Sequence, residues 1–131
     1  MTALDTNIII RFLVRDDQKQ AGVVLNRLQQ AERDKELFVI PILVFLESIW
    51  VLESSYDMSR QGILDSFACL RQMPIMEFEN DIVVERFLVE GKKSNTALSD
   101  LLIGISARLF GCDSVLTFDK KATKSAFFEF I

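Results

Sequence analysis

The chain is 131 residues long, half of them hydrophobic with eleven Phe, and carries a net charge of -4 without a single His. That length and apolar content suit one domain over residues 1–131, with a core covered on more than one side. The lack of His excludes Ser-His-Asp and Cys-His nucleophilic centres, zinc deaminase sites and the two-His-one-carboxylate iron site, which leaves carboxylates, lysines, hydroxyls or a metal to do any chemistry.

Residues 2–4 are expected to form a short buried strand, after which Asp5-Thr6-Asn7 supplies N-cap chemistry for a helix through Ile8, Ile9, Ile10 and Leu13. No basic segment precedes Asp5, so a soluble, unprocessed protein is expected. Asp16 and Asp17 open a second helix, in which Ala21, Val24, Leu25 and Leu28 recur at helical spacing. Residues 37–40 are strand formers, and Pro41 suits the first position of the helix that follows. The apolar run 42–52 is interrupted by Glu47 and is too short to span a bilayer.

Ser59 caps a helix bearing Ile63, Leu64, Phe67 and Leu70; Pro74 then precedes a strand at 75–78, and Asn80 and Asp81 open the next helix. A polar loop is expected at 91–96 and a helix at 97–110, ended by Gly111. The strand 114–117 runs into Phe118-Asp119, and a last short strand is expected at 127–130. Cys69 and Cys112 lack CxxC spacing. They are expected to be buried small hydrophobes in a reducing compartment, the cytoplasm, rather than a disulfide.

Strands joined by helices of this length call for right-handed crossovers, hence an α/β fold: a three-layer α/β/α domain with a mostly parallel central sheet. Ligands in such folds bind beyond the carboxyl ends of the strands. Asp5 and Asp119 each follow a strand.

Two further acids stand in apolar surroundings. Glu47 lies within Leu46-Glu47-Ser48-Ile49-Trp50 and is expected not to face open water, where an unpaired buried carboxylate is costly. Asp100 enters an apolar helix, and its ordinary role would be to offset the helix dipole. Asp5 and Asp119 could equally be turn acids or N-caps. If these acids converge, each pair at about 4 Å repels by roughly 4 kcal/mol at an effective dielectric near 20. Such a cluster needs a cation or raised pKa values. All-oxygen ligation selects Mg²⁺ or Mn²⁺ over Zn²⁺, and phosphodiester hydrolysis by a metal-activated water is the natural chemistry.

On these residues the chain resembles the PIN-domain nucleases, particularly the VapC-type toxins of bacterial and archaeal toxin–antitoxin pairs. The resembling pieces are Leu4-Asp5-Thr6-Asn7, Glu47-Ser48-Ile49-Trp50-Val51-Leu52, Ser99-Asp100-Leu101-Leu102-Ile103 and Thr117-Phe118-Asp119. The resemblance implies a ribonuclease whose catalytic, metal-binding acids are Asp5, Glu47, Asp100 and Asp119, with Thr6, Asn7 and Thr117 orienting ligands or water. It also implies an RNA substrate, a homodimer and a cognate antitoxin, with no part for a membrane. Many relatives carry an additional Asp at the position of Ala97, which puts the number or affinity of metal ions in question.

The net acidity opposes a role on RNA, since phosphate binding needs clustered cations. Lys92, Lys93, Lys120, Lys121 and Lys124 are expected in loops near the site, where a basic rim could form. Rival folds fit less well. A receiver domain needs an acidic pair after its first strand, and a haloacid-dehalogenase-type phosphatase needs a second Asp where Asn7 stands. Gly91-Lys92-Lys93-Ser94 lacks the glycine and serine spacing of a P-loop. The remaining competitor is a PIN-like module that binds RNA or protein without cutting.

Overall fold

In a computed structural model describing residues 1–131, short strands alternate with helices. The chain falls into two compact units, Met1–Glu79 and Asn80–Ile131.

The N-terminal unit contains β1 (Thr2–Ala3), α1 (Thr6–Val14), α2 (Gln18–Asp34), β2 (Phe38–Ile40), α3 (Ile42–Ser54), α4 (Arg60–Gln72) and β3 (Met76–Phe78). Strand β2 is central and pairs in parallel with β1 on one side and β3 on the other. Parallel neighbours cannot be joined by a hairpin, so two helices fill each connection. Phe38 and Ile40, two apart on β2, are both buried, as are Met76 and Phe78 on β3. From α3, the Phe45 ring meets Phe67 of α4 edge-on at 4.7 Å and Phe78 of β3 at 5.5 Å, which ties two helices to the sheet.

Helix starts follow the polar residues expected to make them. The Asp17 carboxylate accepts from Gln20 N–H at 3.0 Å and the Ser59 hydroxyl from Gly62 N–H at 3.0 Å, each satisfying an amide that the first turn leaves without a partner. Pro41 immediately precedes α3.

The C-terminal unit contains α5 (Asp81–Lys93), α6 (Leu98–Phe110), β4 (Val115–Thr117), a single 3-10 turn (Ala122–Lys124) and β5 (Phe128–Phe130). Val83, Val84, Phe87 and Leu88 of α5 and Leu98, Leu101, Leu102 and Ile105 of α6 are buried at helical spacing, and the two helices pack together. Strands β4 and β5 pair in parallel, Val115 beside Phe128 and Thr117 beside Phe130. Every strand pairing is thus parallel, as an α/β fold of this kind requires, though the pairs divide between two sheets.

Three expectations need correction. Thr2 and Ala3 of β1 are exposed, because the strand lies at the edge of its sheet; burial begins at Leu4. The loop expected at 91–96 begins later, because α5 continues through Lys93 with Gly91 buried on its inner face. Packing overrides the weak helix propensity of glycine there. Both cysteines are free and exposed, not buried. Cys69 lies off the stripe formed by Phe67 and Leu70, and Cys112 follows the left-handed Gly111 that terminates α6. No helix is long and apolar enough to cross a membrane.

Candidate active site

The sequence-predicted acids meet different local circumstances. Asp5 follows β1 and its carboxylate accepts from Thr6 N–H at 2.8 Å, so it caps α1 and faces solvent. Thr6 is buried and Asn7 is exposed.

Glu47 is exposed, which overturns its expected burial. Its neighbours in sequence are apolar, but its neighbours on the helix surface are Leu43 and Trp50, which are 76% and 61% exposed. The inward stripe of α3 consists of Phe45, Ser48, Ile49 and Leu52. Adjacency in sequence therefore misjudges which side of the helix the carboxylate occupies. Water reaches Glu47.

The polar group buried in α3 is instead Ser48, fully enclosed with no hydrogen-bond partner for Oγ. A buried unsatisfied hydroxyl costs on the order of 1–3 kcal/mol. Ser48→Ala should accordingly raise the stability of the protein, by about 1 kcal/mol, in urea unfolding. A drop in stability would mean that the hydroxyl has a partner after all.

In the C-terminal unit the local geometry is more informative. Asp100 occupies the first turn of α6 and is half-buried. Asp119 follows β4, where its N–H donates to the Thr117 hydroxyl at 3.0 Å. Its Oδ1 accepts from Lys121 N–H at 2.9 Å and from Ala122 N–H at 3.4 Å. One carboxylate oxygen is thus held by the backbone of the following turn. Oδ2 is not used by these bonds.

Asp100 and Asp119 both line a cleft of 760 Å³ built from the end of α5, the 94–97 loop, α6 and the 3-10 turn. Burial pushes the Asp100 carboxyl above its ordinary range, and the negative charge of Asp119 pushes it further the same way. The two acids therefore interact electrostatically. A cation between them would relieve both the desolvation and the repulsion. Hydrated Mg²⁺ needs only one or two protein carboxylates when phosphate and water complete its shell, and this all-oxygen pair suits it. No group of three or more acidic or thiol side chains is gathered to enclose a metal ion.

The cleft also contains residues that the sequence did not single out: Glu90, Ser94, Thr96, Ser125 and Phe127. Ser94 and Thr96 are joined by a hydroxyl–hydroxyl bond of 2.8 Å, with Ser94 Oγ accepting from Thr96 N–H at 2.9 Å. Their position between two recognisable helices was the only available signal. The five lysines separate into groups. Lys121 and Lys124 line the cleft, whereas Lys92 and Lys93 end α5 outside its lining, and the Lys120 ammonium lies 5.9 Å from the Phe130 ring centroid.

Ala97 lines the same cleft. Among known families, the PIN domain model matches residues 2–127. No match is found among curated proteins.

Proposed function

Since the chain belongs to the PIN domain family, whose members are usually nucleases, we propose that it is a Mg²⁺- or Mn²⁺-dependent ribonuclease. The observation that carries this reading is the meeting of Asp100 and Asp119 in one cleft, with the Asp100 carboxyl held above its ordinary range. Asp100 and Asp119 are assigned as metal-binding acids on that geometry. Asp5 and Glu47 are assigned the same role by family resemblance alone.

A bound divalent ion in such a site supplies Lewis acidity and a water of lowered pKa for attack on phosphorus. The protein's part is to orient. Backbone N–H groups fix one oxygen of Asp119, and the Thr117 hydroxyl fixes the turn on which that carboxylate sits. Partial burial keeps Asp100 short of solvation, so that ligation of a cation restores what its environment withholds. Thr6 and Asn7 are assigned to orient ligands or water beside Asp5, again by resemblance.

The test is RNA cleavage by purified protein with Mg²⁺ or Mn²⁺, against a chelator and against Asp5→Asn and Asp100→Asn. Metal-dependent cleavage abolished in both variants is the expected result. Cleavage that survives both would sink this site.

The same resemblance supports a cytoplasmic toxin of the VapC type that acts as a homodimer and is silenced by a cognate antitoxin. An antitoxin-like reading frame immediately upstream, whose product co-purifies with this chain, is the corresponding expectation. Ala97 in the cleft favours one alternative, a PIN module that binds RNA or protein with little cleavage. That alternative predicts RNA binding without metal-dependent turnover.

A further inference from the structure

The cleft that contains Asp100 and Asp119 also contains two cations with no local assignment. Lys121 immediately precedes the 3-10 turn Ala122–Lys124, and Lys124 ends it. Residues three apart in 3-10 geometry eclipse one another, so the two lysine stems leave the turn on the same side. Both line the cleft, and neither ammonium takes part in an ion pair or hydrogen bond. Lys120 differs: it is out of phase with this pair and lies near the Phe130 ring.

The same turn ties the lysines to the acids. Asp119 accepts from the Lys121 and Ala122 amides, so its carboxylate and the two ammonium stems spring from one hydrogen-bonded loop. Unpaired lysines beside carboxylates could in principle neutralise them, yet neither lysine is ion-paired with Asp100 or Asp119. The cations are therefore left for an anion. In a chain of net charge -4, a polyanion gains nothing from the overall field, and local cations must hold it.

We propose that Lys121 and Lys124 are positioning residues that bind the backbone phosphate of an RNA strand adjacent to the one presented to Asp100 and Asp119. This rests on the nuclease reading for its substrate class. Lys92, Lys93 and Lys120 have no part in it.

The test is binding of a fluorescent single-stranded RNA oligonucleotide, followed by anisotropy across a salt series, in EDTA and in Ca²⁺, alongside cleavage kinetics in Mg²⁺. Removing one lysine–phosphate pairing should reduce the slope of log K against log salt by about 0.7, so Lys121→Ala/Lys124→Ala should flatten it by roughly 1.4 and weaken binding about tenfold. In cleavage the effect should fall on KM rather than kcat. Lys121→Arg/Lys124→Arg should retain the slope, and Lys92→Ala/Lys93→Ala should behave as wild type. A double alanine variant with wild-type affinity and slope overturns the assignment while leaving the nuclease reading intact. Lysine-dependent binding without any cleavage sustains the assignment and removes the nuclease reading. Failure of the wild type to bind RNA in either buffer overturns both.

Discussion

Asp100→Asn is expected to abolish most RNA cleavage and, in the same protein, to increase thermal stability. The two effects share one cause. Asp100 is partly buried and faces the charge of Asp119, so its ionised form is disfavoured in the folded state. The neutral amide removes that cost but gives up an anionic oxygen for a cation. Loss of a group that organises transition-state charge lowers kcat by about 10²–10³. The stability gain is smaller, because much of the carboxyl remains screened by solvent: about 0.5 kcal/mol, or roughly 2 °C in melting temperature without metal.

The pH dependence gives the prediction its sign. A carboxyl whose folded pKa is raised is favoured by protonation on folding; this stabilisation is full below the ordinary carboxylate range and lost as pH rises through the raised value. The variant should therefore match wild type in strong acid and exceed it at neutral pH. Thermal melts at the two extremes, with and without Mg²⁺, measure the difference. Saturating Mg²⁺ should reverse the ranking, because it stabilises only the protein that binds it. An Asn variant less stable than wild type at neutral pH without metal would show that Asp100 is a structural dipole partner, as its place in the first turn of α6 allows.

The second large effect is a loss of stability in Gly104→Ala. Gly104 is buried in α6, and a Cβ added there would lie 2.6 Å from both Cβ and Cγ of Phe127. That close approach belongs to a wider clasp. The Arg108 guanidinium stacks over the Phe127 ring at 4.5 Å and donates to the Ala126 carbonyl at 3.2 Å, while the Phe127 carbonyl accepts from Val115 N–H at 2.9 Å. A methyl group would push Phe127 from the helix and disturb the wall of the cleft and the start of β5 together.

Overpacking of this kind costs about 1–3 kcal/mol, against a gain near 1 kcal/mol from replacing glycine within a helix. The net should be a destabilisation of up to about 2 kcal/mol in urea unfolding. Gly22→Ala is the matching control, since nothing lies within 4 Å of a Cβ placed on that exposed position of α2. It should stabilise by about 0.5–1 kcal/mol. If both substitutions stabilise, the close approach of Phe127 to α6 does not constrain the fold.

These two glycines mark where sequence reasoning reaches its limit. Helix starts were legible because caps are local: Asp5, Asp17 and Ser59 each precede the helix they were expected to open. The parallel α/β character was legible because helical connections leave no hairpin route between successive strands. The packing of Gly104 against Phe127 joins residues far apart in sequence, and nothing in either neighbourhood announces it. Glu47 failed for a different reason. An almost wholly apolar helix has little amphipathic signal, and its exposed stripe of Leu43, Glu47 and Trp50 becomes distinguishable only when the opposite side is seen packed. Asp100 and Asp119 were readable as acids beside a helix start and a strand end; their electrostatic coupling was not.

The exposed cysteines have a practical consequence. Cys69 belongs to the N-terminal unit and Cys112 to the C-terminal one, and both thiols are free. Nature has thus provided one attachment point per unit, outside the lining of the acidic cleft. A donor and acceptor dye, or two nitroxide labels, can be joined to these thiols without altering the sequence, making the unmodified chain its own molecular ruler as RNA or metal is added.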